Sequence, residues 1–75
     1  MQTNQTKLEQ NGERLLRLPE VEFRTSQKKS AIYAGMKTGA FPKNLKTGPR
    51  SSAWLESEIN AWIADRVRIA RGAQS

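Results

Sequence analysis

Six cations, Lys28, Lys29, Lys37, Lys43, Lys46 and Arg50, stand between residues 28 and 50, and no Asp or Glu stands among them. The flanking segments are balanced: residues 1–27 carry four basic and four acidic side chains, and residues 51–75 carry three of each. The net charge of +6 on this 75-residue chain therefore belongs to its middle third. A surface that only confers solubility mixes the signs throughout, as the flanking thirds do. A block of uncompensated Lys and Arg is suited to neutralising a polyanion, either nucleic acid or an anionic membrane face. The plain alternative is a solvated basic face with no partner.

Other chemistry is hard to build from these residues. The chain contains neither Cys nor His. That removes the disulfide staple, the thiolate nucleophile, the usual zinc ligands and the usual neutral-pH general base. Metalloenzymes and triad hydrolases are excluded, and no cofactor is expected. Glu56 and Glu58 form a carboxylate pair, but at a helix start they read as complements to the helix dipole. Trp54 and Trp62 could stack on bases; their spacing beside Ile59 and Ile63 favours packing in the core or on a helix face. No stretch is apolar enough to span a membrane, and the polar N-terminus has no apolar leader region. The expected location is the bacterial cytoplasm, with the protein on the nucleoid when bound.

A chain of this length makes one small domain with a thin core. Residues 1–13, with Leu8 as the one apolar residue beyond Met1, are expected to be a flexible tail, residues 14–72 the domain, and residues 73–75 a short C-terminal tail. Arg14 to Leu18 suits a short strand or extended entry to the core. Pro19 suits a first helical turn, and Glu20 and Glu22 favour the positive end of the dipole, so a helix is predicted over Pro19–Thr25 with Val21 inward and Phe23 or Arg24 flanking. After the polar break Thr25-Ser26-Gln27, a second helix is predicted over Lys28–Lys37. It places Ile32 and Met36 on one face and Lys29, Tyr33 and Lys37 on another. Gly35 lies within it, and Gly39 provides the left-handed stop.

From Ala40 to Trp54 the pattern predicts a β-hairpin around Gly48-Pro49, with Arg50 at its tip and Leu45 and Trp54 turned inward. Leu55, Ile59, Trp62, Ile63 and Val67 recur at helical spacing, predicting a last helix over Leu55–Arg71 that ends at Gly72. The expected core is Leu15, Leu18, Val21, Ile32, Met36, Phe41, Leu45, Trp54, Leu55, Ile59, Trp62 and Ile63. Val67 and Ile69 are left over for a partner subunit. A short helix, a polar turn, a second helix with a basic face and a hairpin with a Gly-Pro-Arg tip make a small winged helix-turn-helix. The class is α+β, mainly α, with three helices and a two-stranded wing.

Four stretches carry a family likeness: Arg17-Leu18-Pro19-Glu20-Val21, Ser30-Ala31-Ile32-Tyr33, Gly39-Ala40-Phe41-Pro42, and Trp54 through Ile63. On these the chain resembles the AlpA family of prophage regulators, which have a MerR-like winged-helix fold and include transcription activators and phage excisionases. The resemblance implies that Ile32 and Tyr33 belong to the recognition helix, that Phe41-Pro42 opens the wing, and that Trp54 closes it. The turn departs from the family's Thr-Gly-Leu-Ser pattern. Ser26 replaces the glycine that eases a positive φ, Gln27 replaces a buried leucine, and Lys28 replaces the serine N-cap.

In that geometry Lys28, Lys29, Ser30, Tyr33, Ala34 and Lys37 make the major-groove face. Lys28 lies mainly against phosphate, and Ala34 is able to touch a thymine methyl. Tyr33 either contacts a base or packs with its hydroxyl on a phosphate. Arg24, Lys43, Lys46, Arg50 and Ser51 are assigned to the backbone and wing. Arg50 alternatively enters a narrow minor groove, and Lys43 and Lys46 are alternatively solvated strand charges. The expected partner is double-stranded DNA, with several copies on repeated sites and with integrase or RNA polymerase as further partners. The resemblance implies control of a prophage or mobile element, by activating an integrase promoter or acting as an excisionase. The competing class is a protein-interaction module whose basic face binds and inhibits an acidic regulator.

Overall fold

A computed structural model describes residues 13–72. The tails expected at residues 1–12 and 73–75, with Leu8, lie outside the described residues; Glu13, assigned to the first tail, lies within them. The elements run β1 (Leu15–Leu16), α1 (Leu18–Thr25), α2 (Lys29–Thr38), β2 (Leu45–Gly48), β3 (Ser51–Leu55) and α3 (Glu56–Gly72). This is an α+β, mainly helical, winged helix-turn-helix. Its sheet has three antiparallel strands in the order β1-β3-β2, one more than the expected two-stranded wing. The extra strand is the entry segment, which pairs Leu15 with Leu55 and Leu16 with Trp54.

That register settles which leucine enters the core. Trp54 is buried against the helices, and Leu16 opposite it is buried too. Leu15 lies on the other face and is 53% exposed, so the expectation that it joins the core is corrected in favour of Leu16. Leu45 is a second correction. It pairs with the buried Ala53, but β2 is an edge strand of the sheet, and Leu45 there is 45% exposed. Leu55 ends β3 and is only half-buried, which delays the last helix to Glu56.

The core is formed by Leu16, Val21, Ile32, Phe41, Trp54 and Ile59, with Leu18, Met36, Trp62 and Ile63 packed around it. Residues 40–44, expected as hairpin, are an irregular connection that carries Phe41 inward. Its backbone is tied by both tryptophans: the Trp62 indole N–H donates to the Ala40 carbonyl at 2.8 Å, and the Trp54 indole N–H to the Pro42 carbonyl at 3.0 Å. Phe41 also packs at 5.0 Å on the Trp62 ring. Phe41 approaches α2 so closely that a Cβ on Gly35 would stand 2.8 Å from the Phe41 Cβ. Gly35 is therefore a packing requirement. Gly35→Ala is expected to destabilise by about 1–3 kcal/mol despite the higher helix propensity of alanine, as a urea-unfolding midpoint would register.

α1 starts at Leu18, one residue before the expected start, and keeps Pro19 in its first turn. α2 runs from Lys29 to Thr38, with Lys28 outside it as an extended N-cap that makes no side-chain cap bond. The turn between them is tied by Thr25, whose buried hydroxyl donates to the Val21 carbonyl at 2.7 Å and accepts the Gln27 N–H at 3.3 Å. Ser26 takes the left-handed conformation (φ 61°), the only described non-glycine residue to do so. An L-residue there costs about 1–2 kcal/mol. Ser26→Gly is therefore expected to raise stability by several tenths to about 1 kcal/mol after the entropy gained by the unfolded chain is deducted, as calorimetry would measure.

Candidate nucleic-acid interface

Ile32, at no measurable exposure, fixes α2 to the core by one side and so presents the other to solvent. Lys29, Ser30, Tyr33, Ala34 and Lys37 all lie on that outer side at i, i+1, i+4, i+5 and i+8, within an arc of about 140°. Each is exposed. Tyr33 stands at the margin, 37% exposed, with its ring 6.4 Å from Trp54 and 61° off its plane. The tyrosine body thus braces the outer face of α2 against the core. Gly39 (φ 86°) closes the helix after Lys37 and turns the chain toward Phe41.

The wing supplies the remaining cations. Lys43 lies in the connection before β2, Lys46 within β2 opposite Ser52, and Arg50 in the two-residue turn Pro49-Arg50 between the strands. The register shifts between Lys46 and Gly48, so Thr47 is an extra residue on the β2 side and Ser51 falls opposite Gly48. Such a bulge increases the local twist of a hairpin. All six cations of the middle third are exposed, and none forms an ion pair with a described residue.

Arg24 differs from them. Its guanidinium lies 3.1 Å from Glu20 within α1 and 2.8 Å from Glu56 at the start of α3. The hydrogen bonds it donates to Glu20 and then Glu56 hold it above the ordinary arginine range. Arg14 adds a weaker 3.8 Å contact to the same Glu56 carboxylate. Glu56 was read as a dipole complement; it also joins α1 to α3, and Arg24 meets two carboxylates where a phosphate contact was expected. The i,i+4 spacing of Glu20 and Arg24 was visible in the sequence, whereas the partnership with Glu56 depends on the tertiary fold.

Two features escaped the sequence reading. Phe23, expected to flank the core, is 83% exposed, because it lies two residues from Val21 and thus on the opposite side of α1. Arg66 stacks over the Trp62 ring at 5.0 Å, a contact with no short-range sequence pattern beyond its i,i+4 spacing. Among the described residues no three Asp, Glu, Cys or His side chains gather as a metal site, and no described helix is long and apolar enough to cross a membrane.

The chain matches the family described as prophage CP4-57 regulatory protein (AlpA) over residues 14–67. It is 42% identical over 55 residues to protein ORF88 of Enterobacteria phage P4, covering 73% of this chain and 62% of that protein. It therefore spans less than two thirds of that relative. It is 32% identical over 62 residues to the DNA-binding transcriptional activator AlpA of Escherichia coli (strain K12), covering 75% of this chain and 89% of the relative. No solved structure matches it. The matched region runs from the first strand into the last helix and takes in the whole basic face, and on that extent the chain belongs to the AlpA family of prophage regulatory proteins.

Proposed function

We propose that this protein is a sequence-specific double-stranded DNA-binding regulator of a prophage or mobile element. α2 enters the major groove and the wing follows the backbone. The reading is carried by one observation: six exposed cations on the second helix and wing, none neutralised by a described acid. The likeness to a protein named as a DNA-binding transcriptional activator supports it. Lys29, Ser30, Tyr33, Ala34 and Lys37 face the bases, and Lys28, Lys43, Lys46, Arg50 and Ser51 meet phosphate and sugar. The protein acts in the cytoplasm, on an integrase promoter or at an attachment site as an excisionase, in several copies and with integrase or RNA polymerase as further partners.

The test is the salt dependence of duplex binding. The four cations assigned to phosphate predict a log-log slope of about −3.6, and six phosphate contacts, the most the basic face can make, one of about −5. A slope near zero between low and moderate salt would overturn the reading. Footprinting beside the protein's own coding region then separates promoter sites from attachment sites.

A further inference from the structure

The core-facing stripe of α3 does not end where the core ends. Ile59, Trp62 with Ile63, Arg66 with Val67, and Ala70 follow one another at helical spacing. Burial fades along them: Ile59 is fully buried, Trp62 and Ile63 are half-buried, Val67 is 42% exposed, and every described residue from Ala64 onward is exposed. Where the stripe leaves the body it forms one wall of a cleft of about 400 Å³, lined by Trp62, Ile63, Arg66 and Val67 on one side and by Arg24, Thr25 and Gln27 on the other. No acid lines this cleft. Arg24 is already matched by Glu20 and Glu56, so Arg66 is its uncompensated charge.

The same molecule carries a matching projection. Phe23 is the most exposed large apolar side chain among the described residues, and beside it stands Glu22, which forms no ion pair with a described residue. An aromatic knob next to a free acid and an apolar cleft holding a free cation are complementary in shape and charge. We propose that the cleft receives Phe23 of a second copy of this chain, with Glu22 of that copy meeting Arg66. Burying one aromatic side chain covers about 150–250 Å², far below the roughly 1,000 Å² of a stable interface. The contact is therefore weak in solution and acts between copies held side by side, where tethering raises the effective concentration to about the millimolar range. The DNA-bound form of the inference rests on the DNA-binding reading; the contact itself does not.

The test has two arms. In the first, amide and indole NMR spectra of the full chain are recorded from about 20 µM to about 1 mM, the range in which a contact with a dissociation constant near 1 mM populates. Concentration-dependent shifts are expected at Phe23, Trp62, Ile63 and Val67, and they should vanish in Phe23→Ala, whose exposed site leaves the fold intact. Glu22→Arg and Arg66→Glu should each lose the shifts, and an equimolar mixture of the two should restore them. Shifts that do not depend on concentration, persist in Phe23→Ala, or fail to return in the mixture would overturn the proposal. In the second arm, an effective concentration near the contact's dissociation constant should let the second copy bind a two-site duplex about two-fold more tightly than a one-site duplex. Phe23→Ala should lose that factor while keeping its one-site affinity. Absence of one-site binding by the wild type would count against the DNA reading alone, and the first arm would still decide the contact.

Discussion

Trp54→Ala is expected to leave most of the domain unfolded at 25 °C. Trp54 is the largest fully buried side chain, at the junction of every layer. It pairs with Leu16 across the sheet, takes the edge of Tyr33 from α2, and anchors the connection before the wing through the Pro42 carbonyl. Truncating a buried tryptophan costs about 3–5 kcal/mol. A single core in a chain of this size rarely supplies more than about 3–5 kcal/mol in total, so the loss takes nearly all of the stability. Far-UV circular dichroism at 25 °C and a urea titration would measure it. Trp54→Phe fills most of the same space but leaves the Pro42 carbonyl without its donor, a loss of about 1 kcal/mol. That variant is expected to fold and to melt roughly 4–8 °C lower for each kcal/mol lost. An unfolding midpoint for Trp54→Ala equal to that of the wild type would show that the core does not depend on this residue.

The fold was largely legible in the sequence because its elements are marked locally. Pro19, the acids near it, Gly39 and the i, i+4, i+8 recurrences all act within a few residues. The failures come from pairing between distant segments. Whether Leu15 or Leu16 enters the core depends on its register with Leu55 and Trp54, about 40 positions away, and a shift of one residue exchanges the two faces. Leu45, expected inward in the hairpin, stays exposed although its partner Ala53 is buried, because β2 is an edge strand of the sheet. The turn shows the reverse case. Its sequence offers neither a glycine at Ser26 nor a serine N-cap at Lys28, yet Thr25 and the αL backbone of Ser26 close the corner locally. The strain falls on one residue.

The site was legible where charge is a property of composition and illegible where it depends on partners. Counting along the chain isolates the six free cations, and the fold leaves all six exposed. Counting cannot tell that Arg24, with the same formal charge, is held by Glu20 and Glu56. It also reports residues 51–75 as neutral, which hides an order within α3: the acids Glu56, Glu58 and Asp65 precede the bases Arg66, Arg68 and Arg71. Both ends of that gradient suit the helix dipole. The acidic end joins α3 to α1, and Arg66, first of the bases, lines the cleft beside Trp62.

Replacing Lys29 and Lys37 together by Ala should abolish duplex binding at physiological salt while leaving the melting temperature near that of the wild type. Both side chains are exposed and touch no described acid, so their removal costs the fold little. On the proposed reading each would make a charge-assisted hydrogen bond to DNA worth about 1.5–3 kcal/mol, and losing two would lower affinity by a factor on the order of 10² or more. The salt slope separates their roles. If both lie on phosphate, the slope becomes shallower by about 1.8 and all sequences weaken alike. If they donate to guanine edges, the slope changes less and discrimination among sites collapses, because a good bidentate pair carries about 1–3 kcal/mol of base preference. Lys43→Ala with Lys46→Ala is the matched control, removing the same charge from the wing. It should weaken every duplex uniformly and leave site preference intact, since wing contacts position the protein without reading the bases. Equal affinity and equal slope for wild type and the Lys29, Lys37 double variant would place recognition elsewhere than on α2. A preference lost only when the wing lysines are removed would move the base-reading element to the hairpin.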